Sequence, residues 1–384
     1  MAKFPSIASA AGEAGQRRTF RENLIVYTPV ILTVLATVLA GVSSSEMSAA
    51  QYYRSIAAQM QSKASDQWGF FQAKRLREEQ SLNSIQILEN LTQPTPLDAE
   101  SLRIAGKHLV DQMKRAIIET VDSSYSTASN AGVARELTDC TDRVDSLVQQ
   151  LNRATTQPDA ADAMASFFRG DMPRIQEETI NDPAITDSIR AVDARVPEAD
   201  LEGRAGQIDE PRLDRAVAIA TDNAVAFDNA IGRAEQGVSR IAAIFDGIAQ
   251  KTSAFERTAR WVSDQVDENV FDKSTVSVQE LAGQLSAAIS VARLRFNSAR
   301  YDRDARYNQV LAQLYEVRVR KESFLSERHR LRSKEFFYVM LGAQTGVTIA
   351  TLSLAVRRRM VLWGIAVAAG LAAISFAAYV YLFV

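Results

Sequence analysis

The chain has 384 residues, 47% of them hydrophobic and 23% charged, with a formal net charge of −2 at pH 7. That balance gives no electrostatic reason to expect nucleic acid as a partner. One cysteine, Cys140, excludes an intrachain disulfide framework and a multi-cysteine metal site. Two histidines, His108 and His329, supply too little imidazole for a His-rich metal centre or a triad, so no metal and no cofactor are expected.

Residues 1–23 form a tail carrying Lys3, Arg17, Arg18 and Arg21. The apolar run Leu24–Val42 follows and predicts a first transmembrane helix over 24–44. A hydrocarbon core of ~30 Å takes ~20 helical residues. The run is longer than a signal-peptide core and no clear A-x-A site follows, so it reads as a retained anchor, with a cleaved signal as the alternative. A stalk helix over 45–93 contains no proline until Pro94 and Pro96.

Residues 94–212 read as a further helical region. A helix over 98–121 carries Leu102, Leu109, Met113, Ile117 and Val121 near one face, and the Ser/Thr-rich Ser123–Ser129 predicts a turn. In the next helix Val133, Leu137, Cys140, Val144, Leu147 and Leu151 recur at 4-3-4-3-4, which places Cys140 on a buried seam. Pro173, Pro183, Pro197 and Pro211, with Gly170, Gly203 and Gly206, interrupt 158–212. Short helices in irregular chain are expected there, one around Ala160–Phe168, as a hinge or cap of the soluble part.

A rod over 213–272 comes next. Leu213, Val217, Ala220, Ala224, Phe227, Ile231, Ala234, Val238, Ile241, Phe245, Ile248, Thr252, Phe255, Ala259, Val262 and Val266 alternate spacings of four and three. A 3.5-residue repeat keeps one stripe aligned along a helix. The partner is either another helix of this chain in an antiparallel bundle or a second chain in a coiled coil. Gly232, Gly237 and Gly247 lie off that seam and weaken the isolated helix by ~1 kcal/mol each. Ser277-x-x-Glu280 is a capping-box pattern that opens a returning stalk helix, within 275–335, at about residue 277.

The last 49 residues are two apolar segments, 336–356 and 360–384, joined by Arg357, Arg358 and Arg359. Arginines in such a turn sit at the water interface, so the pattern is a membrane hairpin. Arg17, Arg18, Arg21 and the 357–359 triplet lie on one side in any three-span arrangement. The positive-inside bias then puts them in the cytoplasm and the large loop outside. A basic cluster from Arg318 to Lys334 argues the other way, though long loops translocate largely regardless of charge.

Two groups of residues are candidates for contacts. Trp68, Phe71, Gln72 and Arg75 share one helical face at i, i+3, i+4 and i+7, suited to docking a partner or to packing on the returning helix. Gly342, Gln344 and Gly346 form a G-x-x-x-G pattern with a central amide, suited to helix contact in the bilayer. Gly364, Ala368 and Ala372 make a matching small stripe on the third span. His329 stands among basic residues near the interface, as an ordinary stalk residue or a pH sensor. No glycine-rich phosphate loop, G-x-S-x-G, His-Glu-x-x-His or Cys-x-x-Cys occurs, and no catalytic residues are assigned.

The run Ser65-Asp66-Gln67-Trp68-Gly69-Phe70-Phe71-Gln72-Ala73-Lys74 resembles a signature of a prokaryotic membrane-protein family, domain-of-unknown-function family 4337. Glu327-Arg328-His329, Gln344, Leu354-Ala355-Val356-Arg357-Arg358-Arg359 and Leu362-Trp363 resemble its second half. The resemblance covers about 20–92 and 300–384, and implies that 94–275 is an insertion at the far end of the stalk. It brings no activity, cofactor or catalytic residue.

The expectation is an all-α chain: three transmembrane helices plus an elongated antiparallel helical or coiled-coil extramembrane region. Its place is the cell (inner) membrane, multi-pass, with the lipid bilayer as one partner and a second copy or another protein engaged through the rod. The role is a non-enzymatic scaffold or adaptor; the alternative is an accessory or sensory subunit of a membrane transport or signalling complex.

Overall fold

The computed structural model describes residues 20–92, 99–123, 128–156, 167–263, 272–356 and 359–383. Every regular element among them is an α-helix: α1 (Phe20–Thr92), α2 (Ala99–Ser123), α3 (Ala128–Thr156), α4 (Pro183–Asp193), α5 (Glu198–Gly206), α6 (Glu210–Ser263), α7 (Asp272–Ala355) and α8 (Arg359–Phe383). The chain divides into two compact units. One, the body, comprises 63–186 and 210–315; the other holds the described residues up to 62, with 187–209 and those from 316 onward.

In the body, α6 buries the predicted seam. Leu213, Ala220, Phe227, Ile231, Ala234, Val238, Ile241, Phe245, Ile248, Thr252, Phe255 and Ala259 are all buried. Val217 and Ala224 are half-buried, and Val262 and Val266 fall outside the described side chains. The partner is the chain itself. α6 packs on α3 and α3 on α2, around a core that includes Leu102, Leu109 and Met113 of α2 and Leu137, Val144 and Leu151 of α3. α7 closes the same core with Val278, Leu285 and Phe296.

Gly247 has a use there beyond its cost to helix propensity. A methyl group on it would lie 3.2 Å from a Leu147 methyl, so its bareness lets α6 approach α3. Pairs of α1 with α7 run 63 with 315, 74 with 304, 75 with 302 and 89 with 295, so these two helices are antiparallel in the body.

In the other unit the same two helices pair as 43 with 333, 46 with 329 and 50 with 326, again antiparallel. The Ser43 and Ser333 hydroxyls each donate to the other residue's backbone carbonyl, at 2.9 and 2.8 Å, in a buried reciprocal clasp. Beyond it, Ala36 and Leu39 of α1, Phe336, Val339 and Ala343 of α7 and Ala373 and Val380 of α8 form one cluster. Leu32, Ala350 and Ala366 form the next. Pro29 lies inside α1, where the Thr33 hydroxyl donates to its carbonyl.

Three details differ from expectation. α7 begins at Asp272, five residues before Ser277, because nothing in Asp-Lys-Ser-Thr-Val stops a helix; Ser277 is therefore interior. Of the 158–212 stretch expected as a hinge or cap, 187–209 belongs to the unit that holds the apolar spans and the adjoining stalk residues. In that unit the Phe324 ring sits so near Gly206 that a methyl there would lie 2.5 Å away. Arg320 pairs with Glu198 at 3.0 Å in the same place. Three of the four prolines named in 158–212 also start helices: Pro183 opens α4, Pro197 caps α5 and Pro211 is the second residue of α6, whereas Pro173 lies in irregular chain. Of the turn expected over Ser123–Ser129, residues 124–127 lie outside the described residues, as does most of the helix expected at Ala160–Phe168.

Candidate functional site

The aromatic face of α1 assembles in part as read. The Trp68 and Phe71 rings meet edge to face at 5.4 Å, and the Arg75 guanidinium lies 5.8 Å over Phe71. Arg75 then bonds Glu78 at 2.7 Å and Asp302 at 2.9 Å. All three are half-buried, whereas Gln72 is exposed and takes no part. The face thus packs towards α7.

Sequence reasoning missed what lies opposite. Asp304, only 7% exposed, accepts from Lys74 at 2.6 Å and has Arg300 at 3.8 Å. Lys74 also stands over the Tyr301 ring, as does Arg77. Arg300 reaches on to Glu235 of α6, and Arg306 returns to Asp302 at 2.7 Å. Cations and carboxylates alternate, so each carboxylate of the cluster is matched by a cation of this chain. The signal in the sequence was Asp302-Arg303-Asp304, an acidic pair in a basic helix.

A second polar cluster pins an extended strap, residues 170–182, to the body. Gly170 starts it with φ +72°, the left-handed region that glycine enters without strain. Asn223 of α6 then acts as a surrogate strand: its amide accepts from the Glu178 N–H at 3.0 Å and donates to the Glu178 carbonyl at 2.9 Å. The Glu177 carboxylate accepts from the Tyr307 hydroxyl at 2.6 Å and from Arg303. Burial and then the Glu177 hydrogen bond push the Tyr307 phenol up to about 12. Tyr307's bond, ahead of Arg303, holds Glu177 below the usual carboxylate range. At the strap's end, Asp182 caps α4 and takes a two-pronged contact from Arg212 at 2.6 and 2.7 Å.

Among the apolar spans, small residues make the contact, but mostly others than those read from sequence. Gly346 is buried, with Leu32 and the α8 backbone within contact of a would-be methyl group. Gly342 has nothing nearby and Gln344 is exposed, so neither joins this contact. The buried line is Val339, Ala343, Gly346, Ala350 and Ser353. On α8, Gly364, Ala368 and Ala372 are exposed, and Ala366, Gly370 and Ala373 are the buried set. Small residues surround both helices, so their spacing alone did not select a face. Leu32 fills a notch whose walls are Gly346 and Gly370. Trp363 donates to the Thr28 hydroxyl at 2.9 Å, tying α8 to α1.

His329 lies 2.6 Å from Glu46 through Nδ1 and stacks on Tyr53 at 5.3 Å. Cys140 is buried as the seam spacing required, and burial pushes its thiol up. Of the topology arginines, Arg21 lies in α1 and Arg359 opens α8; Arg17, Arg18, Arg357 and Arg358 lie outside the described residues.

Among the described residues these features define an all-helical architecture with three helices long and apolar enough to cross a membrane, within α1, α7 and α8. Residues 22–164 match the profile of the family described as Domain of unknown function (DUF4337), the family that the residues around Trp68 resemble. The match continues past residue 92 through α2 and α3, so the family's stretch does not stop where the insertion was expected to begin; 300–384 lies outside it. No curated protein and no solved structure matches the chain.

Proposed function

We propose that this chain is a membrane-anchored helical scaffold or adaptor that works without catalysis. The observation that carries it is the outward surface of the spans. Tyr27, Val30, Ile31, Val34 and Val38 of α1, and Val361, Leu371 and Tyr381 of α8, are exposed. Contiguous apolar surface of this kind is unfavourable in water by ~25 cal/mol per Å² and is what hydrocarbon solvates. The body, by contrast, closes its core with its own helices and laces α1 to α7 with ion pairs, as a rigid presenter of surface does. It also leaves Phe70, Leu76, Ile87 and Leu91 of α1 exposed for a protein to cover.

The N-terminus and the 357–359 turn face the cytoplasm in this reading, with the body outside. Alkaline carbonate extraction tests the anchor: the full chain stays with the membranes, and its release would end the reading. A Lys107→Cys, Cys140→Ser chain tests orientation. Lys107 is exposed, and labelling by an impermeant maleimide in intact cells is expected, whereas labelling only after lysis inverts the topology. Photo-crosslinkers at Leu76 and Ile87 of the full chain test the adaptor role. A discrete adduct with one protein is expected, and none at either position would leave an anchor without a client.

A further inference from the structure

We propose that the outward face of the apolar part of α7 is a contact between two copies of this chain, with the two Gln344 amides pairing across it. The inference rests on the membrane reading above. On its inner face this helix buries Ala343, Gly346 and Ala350. On the opposite face Phe337, Leu341, Gln344, Thr348, Thr351 and Ala355 are all exposed and recur at 4-3-4-3-4. This is a second 3.5-residue seam, the period with which one helix lies along another at a shallow left-handed crossing.

Two threonines of the seam bond within their own helix: Thr348 donates to the Gln344 carbonyl at 3.1 Å and Thr351 to the Val347 carbonyl at 2.8 Å. The Gln344 side-chain amide has no such partner among the described residues, although it stands at mid-seam. In hydrocarbon neither water nor lipid tails satisfy it, and a group that must find hydrogen bonds there finds them on a neighbouring helix.

Symmetry selects that neighbour. Copies inserted with the same topology carry Gln344 at one depth and their α7 helices in one direction. A two-fold axis along the membrane normal then sets Gln344 against Gln344. A carboxamide is donor and acceptor at once, so two of them exchange hydrogen bonds and leave neither wanting. A different protein would need its own matching group at that depth.

The test is disulfide trapping of the full chain in native membranes, in a Cys140→Ser background. Leu341→Cys and Thr348→Cys, flanking the amide, are expected to give a disulfide-linked dimer on oxidation, and the inward Ala343→Cys is not. Adding Gln344→Leu to Thr348→Cys is expected to weaken association about tenfold (about 1.4 kcal/mol), while Gln344→Asn retains most of it. No dimer at 341 or 348 in chain that resists carbonate extraction overturns the inference alone. So does an adduct with another protein, or dimer formation indifferent to Gln344→Leu. Chain released by carbonate removes the membrane reading and the inference together.

Discussion

The body fills its core with several fully buried phenylalanines and leucines, whereas the apolar spans mix a few large residues with small ones at their closest contacts. Phe227, Phe255, Leu109 and Leu137 are fully buried in the first; Ala343, Ala350, Ala366 and Gly370 hold the same position in the second. On the membrane reading proposed above, the difference follows from the solvent each surface meets. In water, burial of apolar area drives association, so the seam collects the largest hydrophobes. Against lipid that drive vanishes, and close approach with van der Waals contact takes over, which favours residues that keep backbones near.

The largest effect should come from the body. Phe255→Ala empties a fully buried site and is expected to lower stability by about 3–5 kcal/mol, read as a lost or downshifted unfolding transition of the purified chain. The counterpart in the spans is an enlargement. Gly370→Ala puts a methyl 2.5 Å from a Leu32 methyl that cannot swing aside, because Gly346 closes the notch opposite. A loss of about 1–3 kcal/mol is expected in detergent unfolding, whereas Gly342→Ala, with open space around it, should be neutral or stabilising by up to about 1 kcal/mol. A result in which both alanines behave alike would erase the distinction between the two faces.

Tyr307 gives a pH signature confined to the body. Its folded value of about 12 exceeds the ordinary phenol value of 10.0, so its contribution is complete below pH ~10 and is lost as pH rises towards 12. Alkaline unfolding should steepen in that window, and Tyr307→Phe should flatten it. The smallest effect is Arg75→Ala: its bonds to Glu78 and Asp302 are partly solvent-screened, and less than about 1 kcal/mol should separate it from the parent in thermal unfolding.

Legibility in the sequence divides along the same line. The α6 seam from Leu213 to Ala259 and the α3 seam through Cys140 were readable, because water makes size and period agree. The spans themselves were equally plain from length and composition. Their contact faces were not, since Gly342 and Gly346, or Gly364 and Gly370, are indistinguishable until the neighbour is known. The strap at 170–182 left no periodic trace either. It is held by Asn223 and by Glu177, single polar residues whose partners lie 45 and 130 positions away. The placement of 187–209 beside Phe324 uses the bare Cα of Gly206, which in sequence looked like one more helix breaker.

The serine clasp has a consequence for how this chain is made. Ser43 and Ser333 lie 290 residues apart, so at ~5–20 residues per second the ribosome delivers the second about 15–60 s after the first. On the proposed membrane reading, the first apolar segment waits through that interval with Ser43 and the Leu32 side chain still unmatched. Closure waits for the two final segments to arrive, and until then a chaperone or insertase has something to hold.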